Sequence, residues 1–246
     1  MGREIIRILS IVVATLLSCY VVVAGIFFRH TTREAVCQGL QIVVRDSLNK
    51  HFVTEGDLVY LLKKAKVYPV KQPMDEINTD KIEEVLLKNN MIAQIEVYKT
   101  PSCLIKLEIE QKMPILRVNS PTGNYYIDNA GSVMPLSRHY VAHVLVASGN
   151  VGKEFAQKDL YDFALFLQGN DFWNNQIEQI YVDADEEVSL IPRVGNHRIV
   201  LGSMAHYREK LDNLKLFYEQ AIPKVGWDKY SVINLKYRNQ VVCTKR

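Results

Sequence analysis

Two histidines, His139 and His143, stand four residues apart, the spacing that on a helix would turn two imidazoles toward one zinc ion. Their segment, SRHYVAHVLVAS, supplies no acidic base and no third ligand, and its valine-rich end predicts a strand. The pair therefore reads as two histidines at a solvent edge. Ser148, Gly149, Asn150, Val151 and Gly152 have the look of a glycine loop, yet they lack the lysine of a phosphate loop and the glycine spacing of a dinucleotide fold. A plain turn accounts for them. Asp183, Asp185, Glu186 and Glu187 could gather a calcium ion, but their spacing departs from the EF-hand pattern and suits a solvated hairpin tip. Cys19, Cys37, Cys103 and Cys243 are too scattered for a zinc or redox motif, and a disulfide among the last three stays open. No nucleophile stands with its base, so the expectation is a non-enzymatic protein with no cofactor, no metal and no small-molecule substrate.

Composition narrows the class further. The chain carries 30 Lys and Arg against 27 Asp and Glu. Arg3, Arg7, Arg29 and Glu4 fall within the first 30 residues, which leaves 27 basic and 26 acidic residues beyond. A nearly neutral body without a basic stripe argues against nucleic acid as a partner. Thirteen tyrosines, amphipathic and stiff, suit contact surfaces.

The elements that would position such surfaces follow from periodicity. Residues 40–47, LQIVVRDS, predict a strand. Thr54 with Asp57 resembles a capping box ahead of Leu58, Leu61, Leu62 and Ala65, and Asp80 with Glu83 opens a second helix through Ile82, Val85 and Leu86. The period then falls to two, with Ile95 and Val97, and after a turn Ile105, Leu107 and Ile109, on one face. Strand, helix, helix, strand, strand makes a compact unit in which two helices cover one sheet face. Beyond it come strands at 115–119, 125–128, 133–136 and 141–147, a helix at 154–168, strands at 176–183, 188–193 and 198–201, a helix at 204–220, and a closing strand at 231–243.

Ahead of all this lies ILSIVVATLLSCYVVVAGIFF, residues 8–28, an uncharged run of the length a helix needs to cross a bilayer. It exceeds the apolar core of a signal peptide, so an uncleaved anchor is expected, with the N-terminus cytoplasmic and the bulk of the chain exported. The fold class is thus α+β: a single N-terminal transmembrane helix, a small β-α-α-β-β domain and a larger β-rich domain with flanking helices. The expected divisions are a cytoplasmic tail at 1–7, the membrane helix at 8–28, a connector at 29–39, the small domain at 40–112 and the β domain at 113–246.

The runs FVTEGDL, DKIEEVLLKNNMIAQIEVYKTPSCLIKLEIEQKMPILRV and NYYIDNAGSVMPLS resemble the POTRA domain of the bacterial FtsQ/DivIB division family and its junction to the β domain. The most specific pieces are E-Q-K-x-P-I-x-R at 110–117 and Y-x-I-D-x-x-G at 125–131. The resemblance implies a single-pass inner-membrane protein with a periplasmic body that supports septal peptidoglycan synthesis. Its partners would be FtsB-like and FtsL-like bitopic proteins and, through them, the septal cell-wall synthases. Ile233, Asn234, Leu235, Lys236 and Tyr237 resemble the family's closing strand, where a partner adds a strand of its own. That implication assigns partner binding to Ile233, Leu235, Lys236, Tyr237, Arg238, Gln240, Val241 and Val242. A POTRA-type chaperone or transport adaptor, and a membrane-anchored extracytoplasmic hydrolase, are the alternatives. The first would need a series of membrane strands after its POTRA units, and none is evident.

Overall fold

A computed structural model describes residues 12–26, 35–45 and 52–246. Residues 12–26 form a helix, α1, whose Val13, Leu16, Leu17, Tyr20 and Val21 are all exposed. Residues 8–11 and 27–28 of the expected span, the tail and most of the connector lie outside the described residues. No helix among the described residues is long and apolar enough to cross a membrane. From Ala35 onward the described residues divide into two compact units, the second beginning at Lys112 and also taking in Phe52.

The first unit contains β1 (Gly39–Val44), α2 (Glu55–Lys64), α3 (Thr79–Leu87), β2 (Ile92–Lys99) and β3 (Leu104–Gln111). The capping box forms as its residue types dictate: Thr54 Oγ1 accepts from the Asp57 N–H at 3.2 Å, and an Asp57 carboxylate oxygen accepts from the Thr54 N–H at 3.0 Å. The second helix starts earlier than Asp80 suggested. Asn78 is its cap, accepting the Lys81 N–H at 2.9 Å, because its amide oxygen meets an N–H that Asp80, already inside the helix, would not reach. Strand β3 lies between parallel β1 and antiparallel β2, so Leu107 is flanked by Ile42 and Val97. Ile105, Leu107 and Ile109 are buried, as are Leu58, Leu62, Ile82 and Leu86 of the helices. On the other side of β3, Glu108 accepts from Lys106 at 2.6 Å, from the Tyr98 hydroxyl at 2.5 Å and from Arg45. These hydrogen bonds hold its carboxyl down at about 2.

The second unit is one mixed sheet of nine strands with helices on one face. It comprises β4 (Pro114–Ser120), β5 (Gly123–Asp128), β6 (Val133–Met134), β7 (Leu145–Gly149), α4 (Lys153–Gln157), α5 (Asp159–Gln168), α6 (Asp171–Gln176), β8 (Ile177–Val182), β9 (Val188–Pro192), β10 (Arg198–Gly202), α7 (Tyr207–Gln220), α8 (Ile222–Val225), β11 (Tyr230–Asn234) and β12 (Val242–Lys245). The spatial order is β12-β11-β10-β9-β8-β7-β4-β5-β6. Helices α4 to α6 cross over between parallel β7 and β8, and α7 with α8 cross over between parallel β10 and β11. The covered face is a continuous row: Val118, Ala147, Ile180, Leu190, Ile199 and Ile233 stand side by side and are fully buried with Phe163, Leu211 and Leu214.

Several expected elements change in the structure. The helix expected at 154–168 is broken at Lys158, whose ψ of −85° leaves the helical path. The strand expected from Val141 begins only at Leu145. The closing strand expected over 231–243 is two strands joined by residues 235–241.

The small motifs have separate physical jobs. Asp128, buried, accepts from the N–H groups of Ala130 (3.0 Å) and Ser132 (2.8 Å) and pairs with Lys112 at 2.9 Å, which shapes the turn after β5. Gly149 permits β7 to approach β8, since a Cβ there would lie 2.1 Å from the Val182 carbonyl oxygen. Asp183 accepts from the N–H groups of Asp185 and Glu187, both at 2.9 Å, so the acidic run is a self-capped hairpin tip. His139 and His143 are both exposed, and no metal-ligating cluster occurs among the described residues. Cys37, Cys103 and Cys243 are free thiols.

Two outcomes test the first unit. Leu107→Ala destabilises it by about 2 to 5 kcal/mol in denaturant unfolding, the cost of a cavity in a filled core. The contribution of Glu108 is fully present above its ordinary value of 4.5 and is lost as pH falls through about 2. A carboxyl 13C titration reads that midpoint directly, and Lys106→Met moves it upward.

Candidate functional site: the exposed edge of the nine-stranded sheet

The arrangement of the chain end is fixed by which way each backbone group points. The Leu235 N–H donates to the Val200 carbonyl at 2.8 Å, so at odd positions of β11 the N–H groups face β10. Those of Val232 and Asn234 then face β12, opposite Thr244 and Val242. The Arg246 N–H donates back to the Lys229 carbonyl at 3.3 Å, which puts the even residues of β12 on the inward side. The alternation leaves the N–H and C=O of Cys243 and the N–H of Lys245 pointing outward, while the Lys245 carbonyl accepts from the Ser231 hydroxyl at 3.5 Å. Strand β12 is the end of the sheet, and its outer side has no strand beside it among the described residues.

The eight residues assigned to partner binding separate into three groups. Ile233 and Leu235 are core residues at 0% and 2% exposure, and Ile233 is paired on both sides, with Ile199 and with Cys243. Neither can face a visitor, because β11 is an interior strand once β12 folds back on it. Lys236, Tyr237, Arg238 and Gln240 lie in the connecting loop and are exposed, as is Val242 in β12, while Val241 is half-buried against the core. The loop turns through Asn239, whose φ of 58° is left-handed, a conformation that asparagine tolerates.

The loop is anchored by residues that spacing alone did not single out. Lys236 lies with its stem across Gly202, where a Cβ would come within 2.8 Å of Lys236 Cγ, and its ammonium pairs with Glu187 of the acidic hairpin tip. The hydrogen bond to Glu187 raises the Lys236 ammonium above its ordinary value. Behind the loop is a pocket of about 190 Å³ bordered by Ser203, His206, Lys210, Asn213 and residues 235–240. Lys210 spans it from α7 to the carbonyls of Leu201 (3.0 Å) and Ser203 (2.8 Å), and its partial burial lowers the ammonium's pKa. Only the tertiary contacts of Gly202 and Glu187 reveal these roles. In sequence the two residues carry nothing beyond turn and charge signals.

The described residues thus form a small two-helix, three-strand domain and a nine-stranded sheet that ends in the open edge of β12. The family model described as POTRA-like matches residues 35–110, and the model described as FtsQ/DivIB, C-terminal related, matches residues 113–244. The second covers more than half of the chain, and the chain belongs to the FtsQ/DivIB family. It is a cell division protein of a generally non-enzymatic family whose members take part in divisome protein interactions. No curated protein matches it.

Gly202→Ala tests the anchoring of the loop. Its φ of +75° and the stem of Lys236 both oppose a Cβ, so the substitution costs more than Glu187→Gln, which removes the charge of one partly exposed ion pair. Thermal unfolding of the two variants side by side gives the order.

Proposed function

We propose that this chain is a non-enzymatic connector of the division machinery that captures a strand from a small bitopic partner of the FtsB or FtsL kind along β12. Through that partner it supports septal peptidoglycan synthesis. In this reading residues 8–28 anchor the chain in the inner membrane, residues 1–7 are cytoplasmic, and both folded units are periplasmic. The uncharged run at 8–28 and the exposed apolar side chains of α1 support the anchor.

The observation that carries the proposal is the outer side of β12, where the N–H and C=O of Cys243 and the N–H of Lys245 have no strand beside them among the described residues. A sheet edge of this kind gains main-chain hydrogen bonds from an added strand, and the flanking side chains select which strand fits. Val242 supplies exposed apolar surface on the edge strand itself, and Tyr237 supplies a large amphipathic ring on the loop beside it.

Proline substitution separates the two sides of the strand. Lys245→Pro removes an outward donor and leaves the inward ladder intact, so partner capture by the full-length protein in membranes falls at least about tenfold while the fold persists. Lys245→Ala, which removes the charge but keeps the donor, retains most of the binding. Equal binding by the wild type and Lys245→Pro, measured with a purified FtsB-like partner, rules out strand addition at this edge.

A further inference from the structure

The β11–β12 hairpin is held at its far end by a buried histidine. His197 stands just before β10, 3% exposed, with Nε2 at 2.7 Å from the Tyr218 hydroxyl of α7. Its ring stacks on Trp227, in the segment that leads into β11, with 14° between the planes. Gly195 lies close to both rings, where a Cβ would meet His197 Nδ1 at 2.8 Å and Trp227 Cε3 at 3.3 Å. Arg246, after β12, donates to the Asn196 carbonyl beside the ring at 2.8 Å, and to Lys229 through its backbone. The approach to β11 therefore packs on the His197 ring, and the end of β12 is tied to the residue just before it.

The cluster suits a neutral imidazole. His197 Nδ1 is buried without a hydrogen-bond partner, so the arrangement that leaves fewest groups unpaired has Tyr218 donating to Nε2 and only the Nδ1 hydrogen unmatched; the other tautomer leaves both the Tyr218 hydrogen and the Nδ1 lone pair unmatched. A proton added at Nε2 turns that acceptor into a donor, forces the Tyr218 hydroxyl to turn away, and leaves a cation with one hydrogen bond in an aromatic box. Of the charged or titratable groups around it, Tyr218 stays protonated because burial raises its pKa, and Arg246 is a cation that repels a second. Asp228 and Lys229, beside Trp227, and Arg198, after the histidine, are exposed. Burial first, and Arg246 second, lower the histidine's pKa.

We propose that His197 is an acid-sensitive latch for the sheet edge: its protonation frees Trp227 and Arg246 and loosens the β11–β12 hairpin. The sign follows from linkage. The unfolded segment takes up a proton below about pH 6.5 and the closed hairpin does not, so closure is complete above that value and weakens as the medium becomes more acid. The consequence for partner capture rests on the edge reading above; the latch itself does not.

Hydrogen exchange of the full chain alone, at about pH 7.5 and about pH 5.5 and corrected for intrinsic rates, tests it. The β11–β12 amides lose protection at the lower pH by up to about tenfold, the limit set by measuring one unit below the ordinary histidine value, while β4 and β5 do not. His197→Gln and His197→Phe, neither of which titrates, remove that pH dependence. Should neither fold, the imidazole 15N shifts of wild-type His197 give its midpoint, expected below the ordinary histidine value. Unchanged protection in the wild type, the same acid response in both variants, or an ordinary midpoint overturns the latch. Failure of the chain to bind any partner would count against the edge reading alone, since exchange is read without a partner.

Discussion

The parallel pairing of β11 onto β10, beneath α7, is the constraint on which the exposed edge depends. A parallel neighbour needs a crossover, and α7 with α8 supplies it on the same face that α4 to α6 already cover. Ile233 thereby enters a row of buried side chains running from Val118 to Ile199. Burying such a side chain contributes about 1.5 to 3 kcal/mol, enough to fix the register of β11 against a one-residue slip that would turn it outward. Once that register is set, the following residues have one short route back, and β12 becomes the last strand of the sheet.

That same constraint explains how much of the site could be read from residue order. The small unit was legible because its helices and strands each show one apolar face. Leu107 and Ile109 could only be buried together, and the capping box at Thr54 needs no tertiary partner. The cap at Asn78 was hidden because Asp80 is an equally good cap by type, and only the position of the Lys81 N–H decides between them. At the chain end, residues 231–243 carry a period-two pattern over Ile233, Leu235 and Tyr237 that reads as one strand. Leu235 continues the buried face, yet the backbone leaves the ladder after Asn234. The turn there owes little to strong turn residues. It is held by the Asn234 side chain accepting the Lys236 N–H at 2.9 Å, by Lys236 reaching Glu187 across nearly fifty residues, and by the space above Gly202. Interactions that distant have no local signature.

An open edge is a hazard as well as a resource, because any strand of suitable length can pair with it. Strand β12 limits the hazard by being only four residues long and by ending in Lys245 and Arg246, with a register shift between Tyr230 and Val232 interrupting the ladder beneath it. The same devices define what can dock. In the proposed reading a visiting strand would gain few main-chain hydrogen bonds from so short a template, so most of its affinity would come from side chains that meet Val242 on the strand and Tyr237 and Arg238 on the loop. Lys236 seated over Gly202 fixes the arrangement in which the loop presents those residues, and in the proposed latch Trp227 stacked on His197, with Arg246 on the neighbouring Asn196 carbonyl, keeps the hairpin closed. In the proposed reading, selectivity for a partner would rest on the two anchors that hold the edge rather than on the edge residues alone.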